Sequence, residues 1–547
     1  VFKVGLAACV ILLCVQANAA TGTPPPDDAI RIDVGRQLFV DDYLVEKSTL
    51  ERTFHKAKLY ADAPIFKAET PLEREAGTAE GAVLFDGGVW YDPRDRTFKM
   101  WYAGGFRDGI CYATSQDGIH WERPPLDVAP GTNRVLPYHK GWELSGFSVA
   151  LDLHTGDPDQ RFKMLAYHRY KNRYPGDPGE ENPPEKMYVS ADGVHWGEPQ
   201  MVKCFTGDNA SMFFDPFRDV WVFSTRNRTP SILRPGAKQS NGKPVTVRAR
   251  FRFAGPDFVK TGLTANKALL WLKPDELDRP DPDLKIDPEL YKFGAVAYES
   301  LMLGAYGMFY GPQNDVAKEQ KRPKTIDIQL GYSRDGVNYP RPNREAFIAA
   351  SRQPGSWNRG YLHAPNGVCL IVGDELYFYF GAWSGLSQRV SAEHVMSGGS
   401  VGLAKLRRDG FASLDAGPDG GTVTTRPVVF SGKHLFVNVD APEGALRAEV
   451  LDAEGRPIAP FTAAGCRAVS GDGTRQRVEW DGAADLAALA NRAVKFRFNL
   501  RNGRLYAFWV SPDASGASQG YVAAGGPGFD GPIDTVGAQP QAGSAAR

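Results

Sequence analysis

A serine–x–aspartate–glycine turn closes sheet-like segments of this chain at a nearly constant interval. Three full copies are Ser115-Gln116-Asp117-Gly118, Ser190-Ala191-Asp192-Gly193 and Ser333-Arg334-Asp335-Gly336, each followed three residues later by an aromatic side chain (Trp121, Trp196, Tyr339). Reduced copies are Arg408-Asp409-Gly410-Phe411 and Gly255-Pro256-Asp257-Phe258. The five aspartates lie 75, 65, 78 and 74 residues apart. A period this regular marks an array of equivalent structural units and constrains the fold more than any single residue does.

Each unit reads as three strands before its turn. In the first three units an Asp-Pro bend (Asp92-Pro93, Asp157-Pro158, Asp215-Pro216) separates the first strand from a strongly apolar second one. In the fourth unit the spacing assigns 298–303 to the first strand and 307–310 to the second. A strand after the turn completes a four-stranded antiparallel unit of about 70 residues, the size of a propeller blade. The expected fold is all-β: a five-bladed β-propeller over 30–420, with 31–58 supplying an outer strand or closing the ring. A β-sandwich is expected over 421–511, where six strand-like segments follow closely. Residues 512–547, rich in Gly, Ala, Pro and Ser, read as a disordered tail. Residues 1–19 read as a secretory signal peptide: Lys3, an apolar stretch too short to span a bilayer, then Ala17-Asn18-Ala19. The expected location is secreted or periplasmic, without membrane insertion.

The chain has 64 basic and 64 acidic residues and no basic block, which argues against nucleic acid as a partner. Beyond the leader, Cys111, Cys204, Cys369 and Cys466 are scattered without metal-type spacing and read as buried thiols. No zinc motif, phosphate loop or nucleophile elbow is present. The turn aspartates recur, as do His120 and His195, so they read as structural turn-formers rather than ligands.

In a propeller the first strands of all blades start on one face, around a common funnel. The acidic residues at those positions are Glu80, Glu143, Asp208 and Glu299, with His363 and Asn366 in the fifth unit. Carboxylates gathered in one concavity repel one another and are costly to desolvate, which points to function. Glycoside hydrolysis uses them as acid and as base or nucleophile. Glu299, in an apolar strand that would raise its pKa, is the candidate acid; the alternative is a glutamate bridged to an arginine. Asp208 is the candidate base, nucleophile or modulator; the alternative is a turn or strand-cap aspartate. Of the adjacent Asp41 and Asp42, at most one can face the funnel. Arg226, His168, Trp357, Arg359 and Trp383, together with His363 and Asn366, are candidate sugar-binding groups, though packing explains each of them singly as well. The expected partner is a carbohydrate, and no cofactor is required by this chemistry. The competing class is a carbohydrate-binding propeller without catalysis.

With these features the chain resembles the five-bladed propeller glycoside hydrolases, the group of invertases, levanases, arabinanases and β-xylosidases. The runs 38–44, 298–304, 331–336 and 407–411 are similar to exported bacterial proteins described as family-32-like glycosyl hydrolases. The resemblance implies a glycosidase cleaving plant or algal oligo- or polysaccharides at a three-carboxylate site. It also implies a central cation on a fifth-blade histidine in some members, for which His363 is the candidate. The Trp-Met-Asn-Asp-Pro-Asn-Gly, Arg-Asp-Pro and Glu-Cys-Pro motifs of invertases do not occur here. The site positions above therefore rest on strand geometry rather than motif.

Overall fold

The computed structural model describes residues 28–136, 142–170, 185–238, 242–387 and 396–537, with backbone alone at 142, 143, 169 and 170. Strands dominate, and the α-helices are short (Pro71–Glu75, Phe258–Thr264, Asn314–Glu319). That follows from a sequence of aromatic and β-branched runs cut at short intervals by Gly, Pro and Asp.

The strands group into successive antiparallel sets. The first is Ala82–Asp92, Thr97–Gly104 and Gly109–Ser115. The second is Trp142–Leu151, Phe162–Tyr170, Glu185–Ser190 and Gln200–Met201. Their first strands run parallel, with Asp86 beside Phe147 and Gly87 beside Ser148, so the two sets form one seven-stranded sheet. The third is Ser211–Asp215, Val220–Pro230, Thr246–Gly255 and Leu269–Leu272. The fourth is Glu289–Glu299, Leu301–Gly311 and Thr325–Ser333. In the fifth, Gly360–His363 and Leu370–Val372 both pair with Glu375–Trp383, then come Gly399–Arg407 and, from near the N-terminus, Lys58–Leu59. Parallel bridges from Gly81 to Gly399 and from Gly88 to Asn366 join the first set to the fifth.

The repeated turn is built alike three times. Ser115 Oγ accepts from Gly118 N at 2.8 Å, and Asp117 Oδ1 accepts from the N–H groups of Ile119 and His120, both at 2.8 Å. Ser190/Asp192 and Ser333/Asp335 repeat this pattern. Gly118, Gly193 and Gly336 have φ of +77°, +82° and +67°, which disfavours any side chain there. Each turn also docks on the preceding set. Trp101 Nε1 donates to Gly193 O at 2.7 Å, and Arg218 donates to Arg334 O at 2.6 Å. Tyr379 Oη, from the fifth set, donates to Gly118 O in the first at 2.7 Å. The period in the sequence is thus the period of a latch between neighbouring sheets. The two reduced copies do other work: Asp257 caps the helix Phe258–Thr264, and Asp409 sits in a buried ion cluster described below.

A second core lies in the C-terminal strands. The long strand His434–Leu451 pairs along its first half with Val469–Arg477 and Gly503–Ser511, and along its second half with Lys495–Arg501. Leu435, Val437, Leu446, Phe496, Phe498 and Phe508 fill the space inside. N-terminal segments belong here too: Val45–Ser48 pairs with Gly421–Thr425, and Glu51–Phe54 with Ala412–Ala416. The boundary at 421 is therefore corrected, because both chain ends contribute to this layer.

Two further expectations are corrected. In the fourth set the first strand is Glu289–Glu299, one strand earlier than the spacing suggests; 298–303 is its hairpin to the second strand. The segment after 511 is ordered through Gly537. Tyr521 and Val522 pair with Glu299 and Tyr298, Gly525 O accepts from Ile371 N, and Ala524 N donates to Cys369 O. Its glycines permit this close approach: a Cβ on Gly526 would collide with the Ile371 carbonyl oxygen. The composition that reads as disorder here serves backbone contact. Cys111, Cys204, Cys369 and Cys466 are buried free thiols.

Candidate active site

A bulge in Ala82–Asp92, between Val83 and Gly88, puts Asp86 in a left-handed conformation (φ +74°) and turns its carboxylate into the space between the sets. There Asp86 meets groups from three others. Lys292 Nζ is 2.7 Å away, His363 Nδ1 2.9 Å and Asn209 Nδ2 3.1 Å. All four side chains are out of solvent. Burial opposes the charge on Asp86, but Lys292 and the bond from His363 hold its pKa far below the usual range. Burial lowers the His363 imidazole.

The residues just upstream of this level form the candidate site. Asp208 precedes Asn209, and Glu289 and Tyr291 precede Lys292. Asp208 Oδ1 lies 2.5 Å from Arg226 Nη2, and both side chains are about one-fifth exposed (21 and 22 %). Glu289 is buried and saturated: Arg248 approaches its Oε2 at 2.5 Å, Arg248 N donates at 3.1 Å and Gln313 Nε2 at 2.8 Å. Arg228 stands 3.5 Å from its other oxygen. Tyr291 shares a 2.9 Å hydrogen bond with Tyr361 and accepts one from Lys324 at 3.0 Å. Burial acts most strongly and would raise the Tyr291 phenol, but the Lys324 ammonium, the Arg248 guanidinium and the bond with Tyr361 together pull the group below its ordinary value. Glu185, at the start of its strand, accepts from Thr206 N at 3.2 Å, and burial pushes its carboxyl up. Glu80 is half-buried ahead of Ala82 and accepts from Ser387 Oγ at 2.8 Å.

Glu299 is elsewhere. It ends the strand that Glu289 begins, ten residues and about 33 Å of extended chain away. Fully buried, it accepts from Arg36 N (3.0 Å), Arg408 (2.9 Å) and Ser518 Oγ (2.7 Å). Arg36 also holds Asp409 at 2.8 Å, and Arg408 lies 3.3 Å from Asp534. Burial does raise the Glu299 carboxyl, as an apolar strand predicts. Yet its partners come from the N-terminus, the 408–409 corner and the C-terminal segment, so the arginine-bridged reading fits and the acid role does not.

The remaining candidates divide similarly. Asn366 is a buried cross-link, donating to Ser148 Oγ at 2.9 Å and Met212 O at 2.6 Å. Trp383 is fully buried against Phe85, Tyr361 and His363. Trp357 stacks on Phe380 at 5.8 Å. These three pack rather than present themselves to a sugar. His168 lies 3.4 Å from Tyr188 Oη, and Arg359 donates to Lys321 O at 3.4 Å. The Glu143 side chain lies outside the described residues. Asp41 pairs with Arg334 and Asp42 with Arg52, away from the site.

His363, the candidate for a central cation, bonds Asp86 through Nδ1, and its buried Nε2 has no hydrogen-bond partner among the described residues. Lys292 already supplies the positive charge beside Asp86, and among the described residues no three His, Cys, Asp or Glu side chains gather as a metal site.

Glu289, Glu185, Tyr291, Lys292, Lys324, Arg248 and Arg250 were not evident as site residues in the sequence. The available signal was Asp287-Pro288-Glu289, which opens an alternating run through Tyr291 and Phe293.

No protein-family model matches the sequence, and no curated protein matches it. Several solved structures are similar at low identity, most of them described as glycoside hydrolases. An N-acetylgalactosamine deacetylase from F. plautii aligns over 65% of this chain and 96% of its own, at 13% identity and a TM-score of 0.41. A family-43 arabinoxylan arabinofuranohydrolase from Bacillus subtilis aligns over 78% and 95%, at 11% identity and a TM-score of 0.33. A thermostable family-43 glycoside hydrolase aligns over 60% and 92%, at 10% identity and a TM-score of 0.38. Likenesses this distant decide nothing about activity, which rests on the residues themselves.

Proposed function

We propose that this chain is an exported glycoside hydrolase acting on plant or algal oligo- or polysaccharides, with a five-bladed β-propeller carrying the site and a β-sandwich behind it. Glu80 and Asp208 supply the two working carboxyls. The observation that carries this reading is the half-buried Asp208, clamped by Arg226 at the entrance of the third set's first strand. Glu80, also half-buried, lies two residues ahead of the first set's first strand. The other carboxyls of this region, Asp86, Glu185 and Glu289, are buried. Acid-assisted displacement at an anomeric carbon uses two carboxyls that flank the scissile bond, the role this reading gives to Glu80 and Asp208.

The Asp208–Arg226 ion pair also suits a carbohydrate-binding propeller without catalysis. A screen of the full chain against plant and algal glycans separates the two. Turnover by wild type, reduced roughly 100-fold or more in both Asp208→Asn and Glu80→Gln, is the expected result. Binding without turnover would favour the non-catalytic reading.

A further inference from the structure

Arg226 stands directly opposite Arg250, and Arg228 directly opposite Arg248, across the antiparallel strands Val220–Pro230 and Thr246–Gly255. Opposite residues share a face, and so do residues two apart. Four guanidinium groups are therefore crowded on one face of one sheet, where like charges directly opposite are unfavourable. Asp208 and Glu289 offset two of the four charges. Arg250 is wholly out of solvent and forms no ion pair among the described residues. It donates only to neutral acceptors, Ser224 Oγ and O, Tyr291 O and Asn209 O. Burial pulls its guanidinium down to about 9. Arg228 is the most exposed of the four, at 40 % of its side chain; Nε and Nη2 donate to Thr246 Oγ1 at 2.9 Å and Thr246 O at 2.6 Å, both neutral acceptors, and its contact to Glu289 at 3.5 Å is longer than a charge-assisted hydrogen bond. The site thus keeps an excess of positive charge beside its accessible aspartate, an arrangement that favours an anion at that spot.

We propose that this arginine face binds the negatively charged substituent of an acidic saccharide, a ring carboxylate or a sulfate ester, and seats that sugar next to Asp208. The proposal rests on the carbohydrate reading above and narrows its substrate class. Planar guanidinium groups recognise carboxylate and other oxyanions by paired N–H donors, which a neutral sugar cannot reciprocate. Arg228 and Arg226 project about 7 Å apart along one strand, so one can hold the anion while the other holds Asp208.

The test is calorimetric titration of the full chain with four probes: a trigalacturonate, its methyl ester, a sulfated galactan tetrasaccharide and its desulfated form. Hydrolysis of each probe is followed in parallel. At least one acidic probe should bind tenfold or more tightly than its neutral counterpart, and which one does distinguishes carboxylate from sulfate. Arg228→Gln, at an exposed position that does not threaten folding, should abolish the preference. Equal binding of charged and neutral forms, no binding of either acidic probe, or a preference that survives Arg228→Gln would overturn the proposal. Hydrolysis of neutral probes without charge preference would sink this proposal and leave the hydrolase reading standing. Charge-selective binding without hydrolysis would do the reverse.

Discussion

Lys292 Nζ lies 2.7 Å from Asp86 Oδ1, and neither side chain is open to water. The pair ties the first strand of the fourth set to that of the first, and His363 adds the fifth. Removing one member of a buried pair leaves the other charge uncompensated, which typically costs about 3–5 kcal/mol, whereas removing both together costs far less. Asp86→Asn and Lys292→Met should each lower the thermal midpoint markedly. The double variant should recover much of the loss, as read by calorimetry of the three proteins beside wild type.

Glu299 is expected to matter for stability and not for turnover. Its carboxylate joins Arg36, Arg408 and Ser518, so Glu299→Gln leaves buried guanidinium charge behind and should destabilise by about 3 kcal/mol. The activity per folded molecule should stay near wild type while the midpoint falls. A loss of kcat with an unchanged midpoint would restore Glu299 to the reaction.

How far the sequence carried this reading is visible at that residue. The turn period was legible because each Ser-x-Asp-Gly copy satisfies its own backbone within four residues, and local satisfaction leaves a local signature. The position of Asp208 followed, since its strand directly succeeds an identified turn unit. Glu289 was hidden because the fourth set lacks the Asp-Pro bend between its first two strands. Without that mark the apolar run 298–303 looks like a beginning when it is a hairpin, and Glu299 inherits the role of a residue ten positions earlier. The arginine face was hidden for another reason. Arg226 and Arg228 are conspicuous alone, but their pairing with Arg250 and Arg248 depends on strand register, which no local pattern states. The order of 512–537 was hidden because Gly and Ala describe close backbone approach and disorder equally well.

The turn latch makes a narrower prediction. Tyr379 Oη donates to Gly118 O at 2.7 Å in a buried setting. Tyr379→Phe keeps the ring and leaves that carbonyl without this donor, at a cost of about 1–2 kcal/mol. A fall in midpoint without change in glycan binding is expected. No change in midpoint would show that the latch contributes nothing.

Acid should loosen the same latches. Asp117, Asp192 and Asp335 are each opposed by partial burial, yet hydrogen bonds hold all three carboxyls down to about 2. For Asp117 and Asp192 those bonds come from His120 and His195 and from backbone N–H groups; for Asp335 they come from Val337 N and Asn338. In the unfolded chain such groups titrate near 4 (about 3.9 for a free aspartate). A depressed folded value means that the stabilisation is complete above about pH 4 and is lost as pH falls toward about 2. Because these side chains are largely exposed, solvent screening keeps each contribution small, and the effect is read as a slope rather than an energy. The thermal midpoint of wild type should therefore drop between pH 4 and pH 2. Asparagine at all three positions keeps an acceptor oxygen for the turn N–H groups but cannot titrate, so the triple variant should start lower at neutral pH and show a shallower acid decline. An identical slope in both proteins would place acid sensitivity in other carboxylates, with the deeply buried Asp86 the first to examine.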